Sequence, residues 1–220
     1  MTTPTEQSRL WQLISPLSPV GAYHHSQALE QAVGTGWVED EDSALAWIND
    51  LLGRSIANLD LPVVARARTA WRGGDVSALL HWDALCRACR ETSELRDEER
   101  NMGAALVALM GELGERSPDG HRLGYAAAFG VAAANAALGE RDTVGGYAWA
   151  WCENQVACAV KLTPLGHSAG QRMLRKLGAS LDGVVAHALA VPDDEIGLAS
   201  PGLAIASAQH ETRHTRLYRS

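Results

Sequence analysis

Apolar residues recur along this chain at intervals of three, four and seven, and almost nowhere at intervals of two. That spacing lines one face of a helix and does not suit a half-buried strand. From Asp40 to Asp60, residues Leu45, Ile48, Leu51, Leu52 and Ile56 share a face, with Asp42 or Ser43 as the expected cap. Leu95, Met102, Leu106, Leu109, Met110 and Leu113 repeat in the same way, and Thr92 stands before Leu95 as a cap. Residues 75–90, 146–162 and 168–190 pass the same test. No run of alternating Val, Ile, Thr and aromatic residues is bounded by turn residues. Breaks fall at 15–19, 34–36, 72–75, 116–120, 192–195 and 200–202, each too short for an interdomain linker. The sequence therefore predicts an all-α fold, a single-domain helical bundle of about eight to ten helices over residues 1–220.

The run from Leu123 to Gly139, LGYAAAFGVAAANAALG, is rich in Ala and Gly. Small residues let helix axes approach closely, so this helix is expected in the middle of the bundle or against a second copy. It falls short of the roughly 20 strongly apolar residues that a membrane span needs. No basic stretch followed by an apolar core opens the chain, and the expectation is a soluble, cytoplasmic protein. A formal net charge of -7 argues against a broad nucleic-acid surface. Cys86 and Cys89 have C-x-x-C spacing on a helical stretch without a second such pair, so they read as half-buried helix cysteines.

Motifs for chemistry are sparse. No G-x-x-x-x-G-K-[ST] or complete G-x-G-x-x-G is present to cradle a phosphate, and no G-x-S-x-G elbow occurs. His24 and His25 are adjacent, about 100° apart on a helix, and cannot share one ion there. His210-Glu211-Thr212-Arg213-His214 spells H-E-x-x-H, the zinc-peptidase pattern. Only TRLYRS follows, with no downstream ligand, so the match reads as accidental. The tail itself carries Arg213, Arg216, Arg219, Leu217 and Tyr218, residue types common at the centres of protein interfaces. Composition leaves open whether this is a docking segment or an idle terminus. Glu94, Arg96 and Arg100 suit an intramolecular ion-pair surface better than a partner site.

Four segments then carry a resemblance. The tail HETRHTRLYRS is similar to the HETQYSRLFRS ending of the UreF family of urease accessory proteins. LISPLSPVGAYHHSQALEQAV resembles that family's S-P-x-L-P-V-G-x-F-x-Y-S-x-G-L-E segment. RETSELRDEERNMG and WAWCENQVACAVKLTPLGHSAGQRML resemble its two central stretches, in the family's order. Ser18 stands where Leu is usual, Tyr23 for Phe, His25 for Tyr, Ala28 for Gly, His167 for Gln and His214 for Tyr. The last substitution creates the zinc-like spacing.

The resemblance implies an all-α, usually dimeric protein without catalysis of its own. Such proteins bind UreD (also called UreH) and recruit the GTPase UreG, so that nickel reaches apo-urease. Nickel and GTP would be handled by the complex, with no cofactor and no metal held by this chain. The segment 210–220 is expected to be mobile alone and to dock through His210, Glu211, Arg213, Arg216, Leu217, Tyr218, Arg219 and Ser220. A second contact face is expected at the helix break of Lys161, Pro164, Leu165 and Gly166. The other readings are a carrier that holds nickel through His24, His25, His210, His214 or the cysteines, and a zinc peptidase.

Overall fold

The computed structural model of the chain describes residues 3–197 and 200–220. Among them ten α-helices follow one another and no strand occurs. The helices are α1 (Pro4–Leu13), α2 (Leu29–Gly34), α3 (Glu41–Leu51), α4 (Asp60–Arg72) and α5 (Val76–Ala88). Then come α6 (Ser93–Glu112), α7 (Tyr125–Asn135), α8 (Glu140–Leu162), α9 (His167–Ala190) and α10 (Pro201–His210). The all-α single helical bundle that the periodicity predicts is thus the fold observed.

The Ala-rich run becomes α7, at the centre. Residues Ala126 to Ala133 are buried on every side, and the helix packs mainly on α4 and α6. Gly130 is what allows the approach to α4. A Cβ there would stand 2.7 Å from the Val64 carbonyl oxygen and 2.9 Å from the Arg68 amide nitrogen. Both are backbone atoms, so no side chain can swing aside to make room. Of the two placements expected for this run, the middle of the bundle is the one realised.

Caps follow local chemistry. Thr92 accepts from the Leu95 amide as expected, and Asp75 accepts from the Ala78 amide to open α5. For α3 the cap is Asp40, two or three residues earlier than expected, in a reciprocal box with Ser43. The helix expected to run on to Ile56 ends at Leu51 and widens into a π-turn over Leu52–Ile56. Asn58 stabilises that turn by donating to the Gly53 and Arg54 carbonyls, at 2.9 and 3.0 Å. Pro201 and Gly202, expected in a break, open α10 instead, since proline at the first helical position lacks only an amide that would be unpaired anyway. No helix among the described residues is long and apolar enough to cross a membrane.

Candidate functional site

The charge-rich start of α6 faces inward. Glu94, Leu95, Glu98, Glu99 and Met102 are all buried, at helical spacing on one side. Three carboxylates, Glu94 and Glu98 of α6 and Glu30 of α2, gather the residues that follow α10. Glu30 accepts hydrogen bonds from the Leu217 and Tyr218 amides, each at 2.9 Å. Burial works against its charge, but these amides and His210 outweigh that and hold its carboxyl below the usual range. Glu94 lies 2.6 Å from Nδ1 of His210 and is paired with Arg216. Ser220 Oγ donates to Glu98 at 2.6 Å and sits 2.9 Å from Nδ1 of His25. The Ser220 backbone oxygen accepts from both the amide (2.8 Å) and the hydroxyl (2.7 Å) of Ser26.

Residues 213–220 are seated in a cradle of buried acids, with His210, Tyr218 and Ser220 enclosed by this chain's own side chains. The reason is electrostatic: three carboxylates in the interior need donors, and the tail supplies amides, a hydroxyl and a guanidinium. Arg213 donates to the Glu30 carbonyl and the Gln31 side chain, both at 3.2 Å. Of the tail residues expected to dock, Arg216, Leu217 and Arg219 remain exposed.

H-E-x-x-H is not presented on a helix. α10 ends at His210, so His214 lies outside it and is exposed. Glu211 accepts from the Ser93 amide (2.8 Å), the Ser93 hydroxyl (2.6 Å) and the Glu94 amide (3.3 Å), which caps the start of α6. Its carboxyl is held below the usual range chiefly by Ser93. Among the described residues no group of three His, Cys, Asp or Glu side chains is arranged to hold a metal ion. Cys86, Cys89, Cys152 and Cys158 are all unpaired as disulfides, and burial pushes the Cys152 and Cys158 thiols up to about 12.

The second expected contact face meets the first. Lys161, Pro164 and Gly166 are exposed where α8 gives way to α9, and Leu165 is half-buried. The Lys161 ammonium stands 5.4 Å from the centre of the Tyr218 ring, over its face. The tail and the helix break are therefore neighbours, although 57 residues separate these two positions in sequence.

Strain and substitution concentrate beside the cradle. Gln27 and Ala28 both adopt left-handed backbone, with φ of 48° and 63°. Each costs on the order of 1 kcal/mol for a residue with a side chain. Ala28 explains the Gly usual in the family resemblance: the position requires positive φ, which Gly adopts freely. Gln27 is held there by donating to Glu98 (2.8 Å) and accepting from the Trp151 indole (2.7 Å). Ser18, where Leu is usual, leaves its hydroxyl buried without a partner. It lines a cleft with Leu13, Ile14, Met102, Tyr125 and Trp151.

Residues that the sequence did not single out lie beneath. Arg90 is buried and donates to Asp60 (2.6 Å) and Glu99 (2.7 Å), while the Tyr147 hydroxyl donates to Asp60 at 3.0 Å. Glu99 and Asp83 in turn accept from the Ala126 and Gly124 amides that begin α7 (2.9 and 2.6 Å). Burial raises the carboxyls of both, as it does that of Glu98. Carboxylates at a helix N-terminus meet both its free amides and its dipole.

The arrangement brings together donors, acids and an exposed rim, and it suits holding a partner better than bond chemistry. Comparison with known proteins agrees. The family model described as UreF matches residues 38–178. A urease accessory protein UreF of Alkalilimnicola ehrlichii is 43% identical over 218 residues, covering 97% of this chain and 96% of the relative. Those of Chromohalobacter salexigens and an Azoarcus species are 42% and 46% identical, covering 99% and 96% of this chain and 96% and 94% of theirs. The chain belongs to the UreF family, which are urease accessory proteins and not enzymes.

Proposed function

We propose that this chain is the adaptor of a urease-maturation complex. It binds UreD (UreH), recruits the GTPase UreG and so brings nickel to apo-urease, acting in the cytoplasm as a homodimer. The chain itself holds neither nickel nor nucleotide; both belong to the assembly.

The observation that carries this reading is the merging of the tail with the α8–α9 break. Tyr218 lies under the Lys161 ammonium, its neighbours Leu217 (55% exposed) and Arg219 face solvent, and the tail is fixed from below by Glu30, Glu94 and Glu98. An exposed Leu flanked by arginines on a preordered segment loses little entropy on docking. Deleting residues 210–220 is a poor test, because it also strips the buried acids of their donors. Leu217→Asp and Arg219→Glu leave the donors to the buried acids in place. Binding to immobilised UreD should weaken at least about tenfold in each, with the melting temperature unchanged. Undiminished binding by both variants would remove the tail from the docking surface.

A further inference from the structure

A furrow runs between α8 and α9, from Lys161 beside the acid cradle to Trp149. One stretch is lined by Val156, Val160, Lys161, Leu165 and His167, the next by Trp149, Arg172, Arg175 and Gly178, and Gln171 and Leu174 line both. From Lys161 to Trp149 it follows about 18 Å of helix at 1.5 Å per residue. Its floor is apolar because α9 presents glycine where the helices meet. A Cβ at Gly170 would stand 3.1 Å from Val160, and one at Gly178 3.5 Å from the Trp149 ring.

The edges carry the opposite charge to the chain as a whole. Lys161, Arg172, Arg175 and Lys176 are exposed there, against two carboxylates, Glu153 in the furrow and Glu41 beside it. Glu41 is committed to Arg172, whose Nε lies 3.1 Å away. Arg175 has no carboxylate partner among the described residues. On a protein of net charge -7, a local surplus of cations along an apolar floor selects an amphipathic, acidic partner. The edges of this furrow are helices and offer no free sheet edge, so the fitting mode is a helix laid in a groove, about three turns long.

We propose that the α8–α9 furrow is a docking groove for an acidic amphipathic helix of a partner protein, with Leu174 and Trp149 on its floor and Arg175 as its principal charge contact. The adaptor reading supplies only the expectation that a partner exists; the groove is tested without any urease component. The probe is a fluorescein-labelled synthetic helix of about sixteen residues, with Leu along one face and Glu elsewhere. A Lys-for-Glu peptide serves as control, and binding is read by fluorescence anisotropy at low and high salt. The acidic peptide should bind saturably, weaken with salt, and weaken at least tenfold with Arg175→Glu. Arg122→Glu, the same charge change on an exposed loop outside the furrow, should leave it intact. The proposal is overturned by any of four results: no saturable binding, equal binding of the Lys peptide, equal loss in both variants, or displacement by a single-stranded oligonucleotide or anionic vesicles at lower concentration than by unlabelled peptide. Failure here with intact UreD binding would remove the groove and leave the adaptor role standing.

Discussion

Replacing Glu30 by Ala should release the tail and leave the bundle folded. Its carboxylate accepts the Leu217 and Tyr218 amides at 2.9 Å and faces His210 Nε2 at 3.4 Å. Hydrogen bonds to a charged acceptor contribute about 1.5–3 kcal/mol each, and the cost is largest where the abandoned donor stays buried. Leu217 is exposed and water can serve its amide, whereas Tyr218 is buried. The clasp should therefore lose about 2–3 kcal/mol, which raises the population of the open tail roughly 30- to 160-fold. Trypsin reports this directly, since Arg213, Arg216 and Arg219 all lie in the segment. Cleavage that depends on local opening tracks that population. The variant should lose its last residues at a correspondingly higher rate while circular dichroism of the remainder persists. A tryptic rate equal to wild type would refute the cradle as the tail's anchor. The sign of the pH effect follows. The Glu30 carboxyl is depressed in the fold, so its contribution is complete above the ordinary value of 4.5 and fades as pH falls below it.

Three further perturbations probe other parts of the account. His25, pushed down to about 4 by burial first and then by Arg219 and His24, is neutral in the fold. Stability should fall from about pH 6.5 toward 4 by on the order of 3 kcal/mol. Glu98, raised by burial, partly offsets this, so the check is the difference between the melting-temperature profiles of wild type and His25→Asn, which should be flatter. Ser18→Leu should fill the cleft beside Met102 and Trp151 and remove an unpaired buried hydroxyl. It is expected to raise stability by about 1–2 kcal/mol, or roughly 2–8 °C in thermal melts. Glu211→Gln should cost about 1 kcal/mol through the weakened cap on α6 and change no proteolysis, because the protein should have none with zinc added.

The helical framework was legible because periodicity and caps are local properties. The Thr92 cap and the α8–α9 break are where cap chemistry and spacing place them. The central position of α7 followed from its small side chains. The site was harder to read because charge suggested exposure. In RETSELRDEER, Glu94, Glu98 and Glu99 share the face of Leu95 and Met102, a helical spacing that pointed inward, yet the segment resembled a solvated surface. Glu30 gave no local signal at all: its donors come from residues 187 and 188 positions away. The tail's seat was hidden for the same reason, since the acids that accept its donors come from distant helices. H-E-x-x-H failed as a metal pattern because the helix it requires stops at His210.

The central claim, that the chain acts as the adaptor in urease maturation, is tested most directly by complementation. A urease operon lacking its UreF gene would be expressed with this chain supplied in trans, and nickel-dependent urease activity measured in extracts. Restored activity is expected, diminished by Leu217→Asp. A soluble, abundant protein that restores none would contradict it.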